Sequence, residues 1–252
     1  QNDAQVWVLD DLSSGYLRNL RRWKQNPKLH FQRGSVTSHR SVTALTRKVE
    51  AIVHLAAVVS PVVSVSAPER TNEVNVSGTL NILRAGLKNG VKKVVFASSS
   101  SLYGHSRIIP IREDAPLNPV TPYGVSKLAA EQYCLVYHRT YGLSTVSLRY
   151  FNVYGERQSS NPYSGVIAIF ASRLSKGLRP EIYGNGNQTR DFVHVADVVR
   201  ANLLALNTKR GIGEAFNVGT GRATTINQLQ RVLARSLGKP DVSPIFREAR
   251  KG

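Results

Sequence analysis

The sequence has little sulfur and few acids: one cysteine, no methionine, and 16 acidic residues against 34 lysines and arginines in 252 residues. A single Cys134 can form no internal disulfide, which favours a reducing compartment. Because no secretory signal is visible either, we expect a cytoplasmic protein. The six histidines and the cysteine show no metal-ligand spacing, so we predict no metal site.

Long hydrophobic runs are also missing. Residues 51–68 form an uncharged run of 18 residues, but His54, Ser60 and Pro61 interrupt it. This pattern predicts a buried strand followed by a loop, so we expect no membrane association.

The net charge of +18 would suit an anionic partner. The basic residues are scattered, however, and only residues 18–24 approach a cluster. Since no interleaved aromatic platform accompanies them, a solvated basic surface is a better interpretation than nucleic-acid binding.

The order of apolar segments predicts an α/β fold with a doubly wound parallel sheet. Strands are predicted at 5–9, 29–32, 51–55, 94–97 and 144–150, and helices at 38–48, 71–89 and 123–140. After residue 152 the pattern loosens, with helices near 195–206 and 226–237 around a strand at 215–218. We therefore expect a main sheet region over 1–152 and a smaller lobe over 153–252 from which the chain crosses back to the sheet.

Tyr123 and Lys127 are the strongest candidates for chemistry. Thr121 and Pro122 form a helix-opening signal, which places Tyr123 and Lys127 one turn apart on one face. A neighbouring ammonium lowers the pKa of a phenol, so the pair can act as a general base on a hydroxyl. On spacing alone, such a pair is more often surface packing. Its context favours catalysis, because the serines 98–101 follow the strand at 94–97, where α/β sheets bind ligands.

Asp10 closes the first predicted strand. A carboxylate there can accept hydrogen bonds from an adenosine ribose, and it favours NAD over NADP. A turn or cap aspartate explains the residue equally well. A glycine-rich phosphate loop would precede this acid by about 20 residues, so we expect the chain to start at the second strand of such a fold.

Seven ordered motifs then carry a resemblance, at residues 10–15, 54–57, 75–79, 98–104, 123–127, 149–155 and 190–197. With them the chain resembles the extended short-chain dehydrogenase/reductase family, specifically its NAD-dependent nucleotide-sugar epimerases and dehydratases. Against that family pattern we expect two portions to be missing, the first strand with its glycine-rich loop and a C-terminal segment that closes over the nucleotide.

The resemblance implies a Rossmann-like NAD-binding domain over 1–152, a nucleotide-sugar lobe over 153–252, and three sets of site residues. The implied cofactor contacts are Asp10, Ser13, Ser14, Gly15, Ser35, Leu55, Ala56, Ala57, Asn75, Ser98, Tyr123, Lys127 and Tyr150. The implied catalytic set is Ser99, Tyr123 and Lys127, and the implied substrate contacts are Ser99, Tyr123, Asn152, Val166, Tyr183 and Arg190. Ser35 stands where the family often has an aspartate that holds adenine. Structural alternatives stay open for four of these residues. Asn75 could satisfy backbone groups and Asn152 could be a turn residue. Tyr183 could fill the core, and Arg190 could form a surface ion pair.

The activity that this resemblance implies is inversion of C4 of a UDP-hexose, from UDP-galactose to UDP-glucose, through a transient 4-keto sugar. Another nucleotide-sugar epimerase, a dehydratase or a decarboxylase is the alternative. Dehydratases of the family carry an Asp-Glu pair where this chain has Ser100 and Ser101, which disfavours dehydration. A non-catalytic dinucleotide- or RNA-binding protein is the alternative of another class. The resemblance also implies a homodimer joined through the helices at 71–89 and 123–140.

Overall fold

The computed structural model describes residues 4–106, 108–158 and 165–249. The strands are β1 (Val6–Asp10), β2 (Leu29–Arg33), β3 (Ala51–His54), β4 (Lys93–Ser99), β5 (Thr145–Tyr150), β6 (Asn152–Tyr154), β7 (Glu181–Tyr183), β8 (Thr189–Arg190), β9 (Phe192–His194), β10 (Glu214–Val218), β11 (Thr224–Thr225) and β12 (Ile245–Arg247). The α-helices are α1 (His39–Thr46), α2 (Pro61–Ser66), α3 (Pro68–Asn72), α4 (Gly78–Lys88), α5 (Pro122–Tyr141), α6 (Val166–Ser175), α7 (Val195–Asn207) and α8 (Ile226–Ser236).

The main sheet is parallel, with the strand order β10-β5-β4-β3. β1 and β2 form a separate parallel pair. Ser99 at the end of β4 lies opposite Tyr150 at the end of β5, and Val218 at the end of β10 lies opposite the same tyrosine. The carboxyl ends of these three strands therefore meet at one edge, where open α/β sheets bind their ligands.

Helices cover both faces of this sheet. β4 is buried along its whole length, as a strand with two covered faces must be. Its Val94 and Phe96 pack in one cluster with residues of α4 and α5, among them Ile82, Leu83, Ala130 and Cys134. Its Val95 belongs to the opposite cluster, with Val146, Leu148, Val193, Val198, Ala205 and Val218. The predicted doubly wound α/β fold is confirmed.

Two helical segments differ from the predictions. Residues 61–66, predicted as loop, form α2, because Pro61 occupies its first turn and the Ser60 hydroxyl accepts a hydrogen bond from the Val63 N–H. The helix predicted over 71–89 is divided into α3, a π-helical turn (Glu73–Ser77) and α4. The segment Leu17–Trp23, which overlaps the basic cluster at 18–24, forms a 3-10 helix.

The later part of the chain adds short strands and a third cluster. β6 pairs with β9, β7 with β12 and β8 with β11. Phe170, Ile182, Ile226 and Leu229 form the core of this lobe. β10 returns to the main sheet beside β5. The division at residue 152 stays a prediction. In the part of the chain that the structure describes, no helix is both long and apolar enough to cross a membrane.

Candidate active site

Ser99, Tyr123 and Lys127 lie where β4 ends and α5 begins. The Thr121 hydroxyl caps α5 by accepting a hydrogen bond from the Gly124 N–H at 3.1 Å, and Pro122 fills the first helical position. Gly124 is required here, because a Cβ would lie 3.0 Å from the Ser101 carbonyl oxygen. The start of α5 therefore packs directly on the turn that follows β4, which brings Tyr123 to Ser99.

The protonation of Tyr123 depends on its burial. Burial raises its pKa, and a hydrogen bond with Ser99 opposes that rise only partly. Lys127 donates from Nζ to the Ala97 carbonyl oxygen at 2.8 Å and lies over the Phe96 ring. Burial lowers the pKa of Lys127 to about 8. In this structure the cost of burying a phenolate dominates the pKa of Tyr123, and the lowering by Lys127 in the NAD-bound enzyme stays a prediction.

The Ser99 hydroxyl has a fixed orientation. Its Oγ accepts hydrogen bonds from the Ser101 N–H at 3.2 Å and from the Ser101 hydroxyl at 2.9 Å. A serine oxygen has two acceptor positions, so both are filled and its own proton points elsewhere. That proton is directed to Tyr123, with which Ser99 forms a hydrogen bond.

The Ser98 side chain contacts a buried ion pair and is not directed to the carboxyl edge of the sheet, where a cofactor contact was predicted. Its hydroxyl donates to Glu131 Oε2 at 2.6 Å, and Arg149 pairs with the same carboxylate at 2.6 Å. Arg149 also donates to the Tyr103 hydroxyl at 2.7 Å, which donates to Asn217 Oδ1 at 2.7 Å. This network joins β4, α5, β5 and β10 behind the site. Sequence reasoning missed Glu131, although it lies one turn after Lys127 on the same helical face.

Asn75 is the centre of a second buried network. Its Oδ1 accepts from the Val58 N–H at 2.8 Å, and its Nδ2 donates to the Ser126 hydroxyl at 2.9 Å. Its own carbonyl accepts from the Thr79 hydroxyl, so the Thr79 oxygen must accept from His54 Nε2 at 2.9 Å. Burial lowers the pKa of His54 to about 3, so this histidine is neutral. Asn75 therefore has the structural role that the sequence left open, and its cofactor contact stays a prediction.

The remaining predicted cofactor residues lie at or just after the ends of β1, β2, β3 and β5. Asp10 Oδ1 accepts from the Leu12 N–H at 2.7 Å, and a Cβ on Gly15 would lie 3.3 Å from Asp10 Oδ2. Because Gly15 has no side chain, its backbone lies close to the half-buried carboxylate of Asp10. A carboxylate held in this way could accept hydrogen bonds from the two hydroxyls of a ribose. Ser35 Oγ is engaged locally with Thr37. Exposed side chains are Ser13, Ser14 and Leu55, whereas Ala56, Ala57 and Tyr150 are half-buried.

Besides Ser99 and Tyr123, the predicted substrate residues are Asn152 on β6 and, in the lobe, Val166, Tyr183 and Arg190. Asn152 donates from Nδ2 to the Asp191 carbonyl oxygen at 3.1 Å, which sets it beside β9. Arg190 is exposed and donates to the Thr189 carbonyl oxygen. Val166 begins α6 against the lobe core, and Tyr183 ends β7. Sequence reasoning missed Asp191, whose carboxylate accepts from the Thr220 and Gly221 N–H groups; the Gly219-Thr220-Gly221 turn was the available signal.

Over residues 4–106, 108–158 and 165–249, no three His, Cys, Asp or Glu side chains form a group that could hold a metal ion. The site presents the hydroxyls of Ser99 and Tyr123 and the buried Lys127 at the carboxyl edge of the main parallel sheet, and the Asp10 carboxylate at the end of β1. Such an arrangement defines a dinucleotide-dependent α/β enzyme that acts on a hydroxyl or carbonyl group.

Comparison with known proteins gives the family. Residues 1–219 match the model of the NAD dependent epimerase/dehydratase family, and the chain belongs to this family. A UDP-glucose 4-epimerase of Mycolicibacterium smegmatis is 40% identical over 246 residues, which cover 97% of this chain and 78% of that protein.

Solved structures agree. The crystal structure of a UDP-glucose 4-epimerase from Thermotoga maritima with UDP-glucose superposes with a TM-score of 0.92 at 40% identity, over 98% of this chain and 79% of that one. A dTDP-glucose 4,6-dehydratase from Streptomyces venezuelae with NAD bound gives a TM-score of 0.93 at 32% identity, over 99% and 77%. The fold is thus shared by epimerases and dehydratases, so the reaction must be argued from the site.

Proposed function

We propose that this protein is an NAD-dependent epimerase that inverts C4 of a UDP-hexose and interconverts UDP-galactose and UDP-glucose. The observation that carries the proposal is the placement of Ser99, Tyr123 and Lys127 together at the end of β4, with Tyr123 and Ser99 each 9% exposed. A nearly buried phenol beside an oriented hydroxyl suits proton transfer to and from a bound sugar hydroxyl.

Asp10, Ser35, Ala56, Ala57, Tyr150 and Lys127 are the residues that would hold NAD. Bound NAD would supply reversible hydride transfer at the sugar carbon. Tyr123 removes the proton from the 4-hydroxyl and later gives one back to the carbonyl oxygen. Ser99, whose oxygen accepts from the Ser101 hydroxyl and which is hydrogen-bonded with Tyr123 here, turns its proton to the sugar oxygen when the substrate binds. Lys127, one helical turn after Tyr123 and buried with a pKa of about 8, supplies positive charge near the base.

Epimerisation is favoured over dehydration by the chemistry of the Ser100–Tyr103 turn. Elimination of water from the sugar needs an additional acid and base. Ser101 uses both its N–H and its hydroxyl on Ser99, and neither Ser100 nor Ser101 has a carboxylate. The side chains after Ser99 can therefore support oxygen binding but not the extra proton transfers.

Proton NMR of UDP-galactose incubated with the protein and NAD⁺ tests the proposal. We expect UDP-glucose signals to appear without added reductant. If UDP-galactose persists while NAD binds, the reaction is on another nucleotide sugar, and N-acetylated and uronic sugars are the next substrates. If neither NAD binds nor any sugar reacts, the proposal is wrong, and RNA binding that weakens steeply with salt would favour the non-catalytic alternative.

The same proposal includes a homodimer through α4 and α5. Val125, Tyr133 and Val136 lie on one face of α5 and are 54%, 38% and 46% exposed. Val62 and Val65 of the adjoining α2 are 52% and 64% exposed. An apolar stripe of this kind on a monomer favours an interface. Light scattering after size-exclusion chromatography should give twice the monomer mass, and Val136→Glu should give the monomer.

A further inference from the structure

Ser64 is a fully buried serine on α2 that sequence reasoning did not connect with the site. Its side chain is 0% exposed. Its Oγ donates to the Pro61 carbonyl oxygen at 2.6 Å and accepts from the backbone N–H of Tyr123 at 3.0 Å. The hydrogen bond to Tyr123 spans 59 residues of sequence, so it joins two separate elements.

The Tyr123 N–H is one of the donors that α5 cannot satisfy by itself. The first turn of a helix leaves its N–H groups without partners inside the helix. In α5, Pro122 has no N–H, and Thr121 caps Gly124. Ser64 therefore provides the partner for the N–H of Tyr123 from a different helix.

The carbonyl oxygen of Tyr123 is held as well. The Ser126 hydroxyl donates to it at 2.8 Å, and Asn75 Nδ2 donates to Ser126 Oγ at 2.9 Å. Ser126 and Asn75 are 3% and 1% exposed. Because Asn75 lies in the π-helical turn (Glu73–Ser77), this irregular turn directs the amide to α5. Both polar backbone groups of Tyr123 are thus fixed by buried side chains that are themselves anchored.

We propose that Ser64 is a positioning residue for Tyr123: by capping its backbone N–H, Ser64 holds the phenol in reach of Ser99 and of the bound sugar oxygen. This inference rests on the proposed function, in which Tyr123 is the base. A displacement of about 1 Å in a catalytic group can lower turnover by about 100-fold, which makes such an anchor functionally significant.

Ser64→Ala tests the proposal, with Ser60→Ala as the matched control. Ser60 caps the start of the same α2 helix through the Val63 N–H at 3.2 Å and is 8% exposed. Each variant therefore removes one buried serine hydroxyl that accepts a hydrogen bond from a backbone N–H. Only Ser64→Ala removes the hydrogen bond to the N–H of Tyr123. For Ser64→Ala we expect kcat to fall about 10-fold or more with KM within about twofold. For Ser60→Ala we expect kcat within about twofold at a temperature where both variants are folded.

A readout that needs no turnover separates positioning from stability. With ¹³Cζ-tyrosine label, the Tyr123 signal is the one that disappears in Tyr123→Phe. Ser64→Ala should shift or broaden this signal, whereas Ser60→Ala should leave it in place. If Ser64→Ala does not fold, Ser64→Cys is the second variant, because a thiol is nearly isosteric and a weaker acceptor. Ser64→Cys should show a smaller fall in kcat and a smaller shift of the Tyr123 signal.

Equal kcat and an unshifted Tyr123 signal in Ser64→Ala would overturn the positioning role. Equal losses in Ser64→Ala and Ser60→Ala would also overturn it, since they would reflect destabilised α2 alone. If the unmodified protein and Tyr123→Phe turn over equally, the proposed function fails instead. The NMR signal still reports whether Ser64 positions Tyr123 in that case.

Discussion

The edge around Tyr123 and the lobe that carries Arg190 are built differently. At the edge, Ser64, Ser98, Ser126, Asn75 and Lys127 are all buried, and each makes a hydrogen bond to another element of the fold. In the lobe, Tyr183 and Arg190 lie on strands of three and two residues, and Val166 begins α6. Arg190 is exposed, and the other two are half-buried.

The two regions therefore differ in the rigidity of their side chains. A network of satisfied, buried polar groups is rigid, because every rotation breaks a hydrogen bond that no water replaces. Exposed side chains on short strands keep rotamer freedom and adapt to what binds. We infer that the edge fixes the chemistry, whereas the lobe selects the nucleotide sugar.

Tyr123→Phe should produce the largest effect, because it removes the reacting oxygen from the rigid edge. We expect turnover of UDP-galactose to fall roughly 10³-fold or more, with the fold retained. The control is Tyr137→Phe on the same helix, where the ring contacts Tyr141 away from Ser99. Steady-state kinetics of the two variants give the comparison. Near-normal turnover in Tyr123→Phe would refute the assignment of the base.

Glu131→Gln should test the rigidity of the edge. It leaves the Arg149 guanidinium, whose side chain is 7% exposed, without its charged partner. We expect a loss of about 3–5 kcal/mol in the free energy of unfolding. In the lobe, Glu181 pairs with Arg173 and Arg247 but is 24% exposed, so Glu181→Gln should cost roughly 1 kcal/mol or less. Urea denaturation measures both, and equal losses would contradict the difference between the regions.

The buried Lys127 predicts a pH dependence of stability. Its pKa is lowered from 10.5 to about 8, so the native state loses this proton at lower pH than the unfolded state. Between these two values the unfolded state binds more protons, and stability must rise with pH. The unfolding free energy of the unmodified protein, relative to Lys127→Met, should therefore increase by about 3 kcal/mol from pH 8 to pH 10.5. If the difference in unfolding free energy between the two proteins does not change with pH, the ammonium of Lys127 is solvated and its pKa is not lowered.

The main sheet was predictable because its signals are local. The apolar segment at 94–97 gave β4, and Thr121 with Pro122 gave the start of α5, so Ser99 and Tyr123 could be placed together from sequence. The order of the seven motifs also allowed the family to be predicted. The lobe strands were not predictable, because β8 and β11 have two residues each and their paired residues are 34 and 36 positions apart.

The buried partners were the other part that sequence could not give. Ser64 and Tyr123 are 59 residues apart, and Asn75 and Ser126 are 51 apart, so no periodicity connects them. The direction in which the pKa of Tyr123 shifts in this structure depends on the fold for the same reason. Lys127 is adjacent in the helix, but burial, which depends on the whole fold, decides the direction of the shift.

Arg190→Ala should give the smallest effect and one of a different kind. Arg190 is exposed at the end of β8, and we propose that its guanidinium binds the diphosphate of the substrate. Among the hydrogen bonds of the described residues, nothing links Arg190 to Tyr123. We expect KM for UDP-galactose to rise roughly 10-fold with kcat within about twofold, because binding is lost equally in the ground and transition states. Arg200→Ala, on the exposed face of α7 with Asp197, is the control and should leave both constants unchanged. A fall in kcat without a change in KM would place Arg190 in the chemistry, and the separation of edge and lobe would then be wrong.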